Sequence, residues 1–229
     1  MRAEWKQHAR QSLKGKWWLM AGLLILFFIL NGLPQTFAPP VDVEEPVTAM
    51  ETILTFVSLI LSILILPLTV GWAWLALSVA RGERAAVSTL FAPFKTRYFR
   101  HIAAPFLTGL FAGLWTLLLI VPGIIKSFSY SLTNYILRDQ PELSALEAIT
   151  ESRRMMDGHK MEAFKLVLSF VGWFFVGLLT LGIGFLFIYP YFSTTYAAFY
   201  DSIKQADRPY VQSDSPFMTN DSSDGPTAF

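Results

Sequence analysis

The chain has 229 residues, of which 53% are hydrophobic and 15% charged, with a net charge of +1. A soluble domain carries about 25% charged residues, so a single water-soluble core is excluded, and the near-neutral balance gives no pull toward nucleic acid. There are no cysteines, and the three histidines (His8, His101 and His159) lie far apart. That excludes disulfides, thiolate metal sites and cysteine nucleophiles, and leaves no metal-ligand spacing.

Residues 1–16 are basic and include Trp5 and Leu13. They read as an interfacial helix drawn to anionic headgroups at the cytoplasmic face. Residues 17–33 are apolar. A basic stretch before an apolar one also fits a secretory signal, and Thr36-Phe37-Ala38 offers small residues for cleavage. Pro39 directly after them is a poor cleavage context, and the apolar run is long for a signal core. An uncleaved first span is expected. The following loop carries Asp42, Glu44, Glu45 and Glu51 but no cation.

The second span is 52–80. Its 29 residues would extend about 43 Å as a helix, beyond a hydrocarbon core of about 30 Å. It must tilt, protrude or bend near Pro67. The loop 81–100 is basic, with Phe91, Phe94, Tyr98 and Phe99 interleaved. Beside a span, this mixture faces headgroups rather than nucleic acid. The third span is 102–121. Pro122-Gly123 then interrupts the pattern; proline suits a first helical turn, so a fourth span runs over 123–137.

Ser144-Ala-Leu-Glu147 is a capping-box pattern. It opens a cytoplasmic amphipathic helix over 144–157, with Leu146, Ile149 and Met156 on one face and Gly158 ending it. Glu147, Glu151 and Arg154 point away from that face. The helix either covers the inner end of the bundle or docks a membrane-protein partner through those three residues. The stretch 164–202 is too long for one span. Leu181-Gly182-Ile183-Gly184 divides it into 164–180 and 184–202. The polar tail, 204–229, is rich in Asp and Ser and is expected to be disordered.

The expected fold is therefore all-α: a polytopic membrane helix bundle over 17–203, with six transmembrane helices in three hairpins. With both termini cytoplasmic, all but one of the 18 lysines and arginines fall on the inner side. The exception is Lys126. The chain also repeats itself in part. Shifting 106–129 by 64 residues onto 170–193 matches nine of 24 positions, among them Gly113, Thr116, Phe128 and Ser129. The shift implies parallel repeats about an axis along the membrane normal.

No HExxH, phosphate-binding glycine loop or GxSxG is present, and the spans contain no Asp or Glu away from their ends. An enzyme is not expected, nor a cofactor. What remains is a polar face. Lys126, Tyr130, Thr133 and Asn134 cluster on one side of the fourth helix, Ser193 and Tyr196 form a stripe on the sixth, and Ser129 aligns with Ser193 in the repeat. These residues could line a polar cavity in which Lys126 holds an anionic group. Alternatively, the small polar residues join helices, and Lys126, about one turn from the outer end, snorkels to the headgroups.

The elements PGIIK, SYS, SALEAI with the following SR, M and GHK, LSF-x-GW, TLGIG and T-x-YA-x-FY resemble an uncharacterised bacterial membrane family, domain-of-unknown-function family 975. ARQSLKGKWW near the N-terminus is similar to that family's opening. The resemblance covers about 9–200. It implies a bacterial, plasma-membrane, six-helix protein of unassigned activity. A more distant likeness is to the membrane region of some glycerophosphodiester phosphodiesterases, but no catalytic barrel accompanies it here. Two functions are expected as alternatives: binding or moving a small solute or lipid, or a structural or regulatory role through partners at the cytoplasmic face.

Overall fold

The structure is a computed structural model and describes residues 2–40 and 47–207. The expected acidic outer loop at Asp42, Glu44 and Glu45, and the expected disordered tail from 208 onward, lie outside the described residues. Among the described residues the chain is all-helical, with no strand. Helix α1 (Arg2–Ser12) leads into α2 (Trp17–Gly32) and a 3-10 turn, Leu33–Phe37. Then come α3 (Ala49–Ile65), α4 (Pro67–Ala80), α5 (Val87–Lys95) and α6 (Tyr98–Leu118). The second half holds α7 (Ile120–Tyr130), α8 (Thr133–Asp139), α9 (Ala145–Met155), α10 (Lys160–Leu168), α11 (Val171–Leu179) and α12 (Phe185–Asp207).

Four stretches are long and apolar enough to cross a membrane: Trp17–Phe37, Ala49–Ala80, Tyr98–Leu118 and Lys160–Leu179. The expected fourth and sixth spans are not among them, for different reasons. The fourth is broken into α7 and α8. The sixth, α12, is 23 residues long, enough for about 35 Å, but it carries Ser193, Thr194, Thr195 and Tyr196, all buried. A helix enclosed by protein need not be apolar on every face. α12 packs against α1, α2, α4 and α11 and is the centre of the bundle.

The breaks follow from the backbone chemistry. Pro67 has no amide hydrogen, and the Leu66 amide reaches only Ile63 O, at 3.2 Å. The bend anticipated near Pro67 thus separates two unlike helices: α3 buries only Ser58, whereas α4 is buried along most of its length. Leu119 is extended, φ −155° and ψ 128°, so α6 ends at Leu118 and α7 starts at Ile120. That places Pro122 in the first turn, two residues later than a start at the proline itself would. Gly123 lets the pair close, because a Cβ there would lie 2.5 Å from Thr116 Cα. The α7–α8 break is stabilised from α9. Ser152 Oγ accepts from the Leu132 amide at 3.2 Å and donates to Ser129 O at 2.8 Å, so these two groups at the break are satisfied.

The well-packed half of the molecule is built on α4 and α12. Trp72 meets Ser193 and Arg81 meets Asp201, so the two helices run parallel. α8 joins them in the same direction, through Trp74 to Asn134 O and Arg81 to Asp139. α5 lies against α4 at Gly71, where a Cβ would meet the Leu90 carbonyl oxygen at 1.9 Å. The basic segments gather at one end: Lys16 donates to Glu83 O, Arg97 to Glu142 O, and Arg154 pairs with Asp207. The other half carries large exposed apolar residues on α3, on the end of α6 and on α11, such as Phe56, Leu117 and Phe175. Such a surface is unfavourable in water and matched to lipid.

The N-terminal helix is docked on the bundle: Ala9 and Leu13 are fully buried, Trp5 meets Phe199 edge-on, and His8 Nε2 lies 2.7 Å from Ala80 O. The amphipathic helix needs correction. On α9 the capping box forms as read, Ser144 with Glu147, but Leu146 is exposed. The buried face is Ala145, Ala148, Ile149, Ser152 and Met155, of which Ala145, Ala148 and Ser152 are small. The polar tail is helical as far as Asp207, continuing α12.

Candidate membrane-embedded cavity

α7 makes its main packing with α6, α9 and α10. It therefore stands off α4 and α12, and a cavity of about 470 Å³ lies between them. That volume is in the range of about 300–1,000 Å³ seen for small-molecule sites. Thr69, Trp72 and Ala73 of α4 form one wall, and Tyr189, Phe192, Ser193 and Tyr196 of α12 the second. The third is a stripe along the broken α7–α8 pair: Ile124, Ser127, Phe128, Ser131, Asn134 and Tyr135. Val167 of α10 completes the lining. Among the described residues no carboxylate, imidazole, amine or guanidinium lines it.

Most hydroxyls here are committed to their own helices. Thr69 donates to Leu66 O, Ser127 to Gly123 O, Ser131 to Phe128 O and Ser193 to Tyr189 O, at 2.7 to 2.9 Å. Two are also acceptors: Ser193 Oγ takes Trp72 Nε1–H at 3.0 Å, and Ser131 Oγ takes Tyr196 O–H at 2.6 Å. Three polar side chains on the lining have no hydrogen-bond partner among the described residues: the Asn134 carboxamide and the Tyr135 and Tyr189 hydroxyls. Toward the charged end, Tyr135 stacks on Tyr196 and on Tyr200, with ring centroids 6.4 and 5.3 Å apart.

Beyond the tyrosines lies an ionic cluster. Arg81 grips Asp139 with both guanidinium nitrogens, at 2.8 and 2.7 Å, and reaches Asp201 at 2.7 Å. Tyr200 O–H donates to Asp139 at 2.9 Å, and Lys204 also binds it. Burial by itself raises the Asp139 pKa. The hydrogen bonds from Arg81, Lys204 and Tyr200 outweigh burial and hold it well below the usual carboxylate range. The cluster ties α4, α8 and α12 together at one end of the cavity.

Of the residues expected to form a polar cavity, the structure brings Asn134, Ser193 and Tyr196 to this one. Lys126, Ser129, Tyr130 and Thr133 face elsewhere. Lys126 Nζ lies over the Trp115 ring of α6, 5.0 Å from its centroid. Tyr130 packs near Phe111, Ser129 lies under Ser152 of α9, and the Thr133 hydroxyl donates to Tyr130 O. Asn134 is one residue, about 100°, round from Thr133, which is why it alone of that helix's expected set turns inward. Ser129 and Ser193, matched in the repeat, thus sit in different surroundings. The residues missed were Trp72, Ser127, Ser131, Tyr135 and Tyr189. The 124, 127, 128, 131, 135 spacing was a legible stripe, one step from the face chosen. On α9, Glu147 is held by its own cap, and Glu151 and Arg154 pair with each other at 2.7 Å, Arg154 also with Asp207.

Four apolar helices of spanning length and an exposed apolar surface along them are the features of an integral membrane protein. Residues 117–207, which include α7 to α12 and so most of the cavity lining, match the family described as "Protein of unknown function (DUF975)". Over those residues the chain is similar to that family, in agreement with the resemblance carried by its sequence elements there. No curated protein and no solved structure matches the chain. The likeness to the membrane region of glycerophosphodiester phosphodiesterases finds no support in these comparisons.

Proposed function

We propose that this protein crosses the bacterial plasma membrane six times, in three hairpins with both termini cytoplasmic, and that its cavity holds a small, largely apolar molecule, either a solute or part of a lipid. The two additional crossings would be α7–α8 and the enclosed α12. The gathering of the basic segments at one end supports this threading, and those cations would meet anionic headgroups there. The threading has its own test. Cysteine placed at Pro39 should react with an impermeant thiol reagent from outside the cell, and cysteine at Arg84 only from inside.

The observation that carries the binding reading is the cavity itself, an open cleft lined by aromatic side chains and a few convergent polar groups. Its lining offers hydroxyls and one carboxamide, which supports binding or passage rather than catalysis. Lys126 has no part in it. Native mass spectrometry of the protein in lipid discs tests the reading. A small molecule should co-purify with the wild type and with Lys126→Met, but not with Ser127→Phe, which fills the cavity. Retention in Ser127→Phe, or loss in Lys126→Met, would sink it.

A further inference from the structure

We propose that the cavity selects an uncharged ligand by a hydrogen-bond-donating hydroxyl, as in a long-chain alcohol or the free hydroxyl of a neutral glycerolipid. This rests on the binding reading above and names the ligand's chemistry. The argument is an account of hydrogens. Thr69, Ser127, Ser131 and Ser193 each spend their one hydrogen on a carbonyl of their own helix. A hydroxyl has one donor and two acceptor positions, so what these four turn outward is lone pairs, one of them already taken by Trp72 on Ser193 and one by Tyr196 on Ser131. Asn134 adds a free carbonyl oxygen beside its own N–H donors. The unpartnered Asn134 N–H groups and the Tyr135 and Tyr189 hydroxyls add donors, but the unspent acceptor positions outnumber them, so the group that fits is one that donates as well as accepts.

Charge is selected against on both sides. A carboxylate or phosphate would meet only the neutral donors of Asn134, Tyr135 and Tyr189 and no cation, since Lys126 lies over Trp115 on the far side of α7. An ammonium would bring donors, but no lining residue supplies a counter-charge. Asp139 and Asp201 are already engaged by Arg81. Burying an unpaired ion is far costlier than burying a hydroxyl that finds an acceptor. The rest of the lining is apolar or aromatic, with Trp72, Phe128 and Phe192 placed to cover a hydrocarbon chain. The chemistry that remains is a neutral amphiphile with a hydroxyl at its polar end.

The test compares four probes with one tail, in lipid discs at equal membrane concentration: 1-octanol, octyl methyl ether, octylammonium and octanoate. Ligand binding to the folded state raises the unfolding temperature. Octanol should do so at a concentration about tenfold lower than the ether, the worth of one hydrogen bond and its unsatisfied partner. The two ions should have less effect than either. Asn134→Leu should narrow the gap between alcohol and ether while leaving the ether's effect in place, a readout that a merely unstable variant would not mimic. Discs doped with diacylglycerol separate the two sources: if the lipid hydroxyl is the ligand, doping alone stabilises the protein and blunts the response to octanol. If a free alcohol is the ligand, octanol acts and doping does not. An ether as effective as the alcohol, or an ion more effective, overturns the hydroxyl inference and leaves the binding reading standing. Failure of all four probes and of diacylglycerol to stabilise the wild type overturns both.

Discussion

Gly71→Ala sets two effects of opposite sign against each other. Alanine favours a helix over glycine by about 1 kcal/mol, so in an open helix the change would stabilise. At Gly71 the new Cβ would meet the Leu90 carbonyl oxygen at 1.9 Å, where ordinary contact begins at 3.4 Å, so α5 must retreat by about 1.5 Å. The obstacle is backbone: the Leu90 carbonyl carbon and Cα lie at 2.8 and 3.1 Å from the same position, and no side-chain rotation clears it. Withdrawing α5 also lifts Leu90, which is fully buried, and Pro93, whose carbonyl lies 2.9 Å from His101 Nδ1. Overpacking of this kind costs about 1–3 kcal/mol, occasionally more, and the lost contacts add to it. Subtracting the helix-propensity gain leaves about 0–2 kcal/mol of overpacking cost, and the lost contacts raise the net destabilisation above that. Thermal unfolding in detergent, followed by far-UV circular dichroism, reads it as a lower midpoint for Gly71→Ala than for the wild type. An equal or higher midpoint would show that propensity wins and that α5 does not pack on α4 at this point.

Two further expectations concern the joints around the cavity. The Asp139 pKa is held down in the folded protein, so its contribution to stability is present above the unfolded value of about 3.9 and is lost as the pH falls below that toward the folded value. Asp139→Asn should therefore lower the midpoint at neutral pH, by about 1–3 kcal/mol given the partial exposure of Arg81, and the gap from wild type should shrink as pH is lowered through about 4; a gap independent of pH would refute the charge argument. Ser152→Ala leaves the Leu132 amide without its acceptor at the α7–α8 break, and about 1–3 kcal/mol of stability should go with it, seen as faster hydrogen exchange at Leu132. Unchanged exchange there would mean that the break does not depend on α9.

The charge pattern was legible because position alone carries it: loops bearing cations end up together at one end whatever the helices between them do. The capping box at Ser144 was legible for a similar reason, since all its atoms lie within four residues. The cavity was legible only in part. Its wall on α12 could be read as a stripe of Ser193 and Tyr196, but its wall on α7–α8 depends on which face of a broken helix turns inward. The break at Ser131–Leu132 is held by Ser152, 20 residues away from Leu132, and no local pattern announces it. Lys126 drew attention as the lone unexplained cation, yet its partner is Trp115 on the neighbouring helix. The docking of α5 on Gly71 left no mark beyond one small residue in an apolar run.

The most direct measurement of the central claim is the thiol reactivity of Ser127→Cys against Leu132→Cys. The chain has no cysteine of its own, so each variant reports on one site. Ser127 lines the cavity, whereas Leu132 is fully buried one turn further on. With a neutral, membrane-permeant maleimide in lipid discs, Cys at 127 should react readily and Cys at 132 should stay protected until the protein unfolds. Equal protection at the two positions would mean that α7 closes onto α4 and α12 and that no cavity exists to hold a ligand.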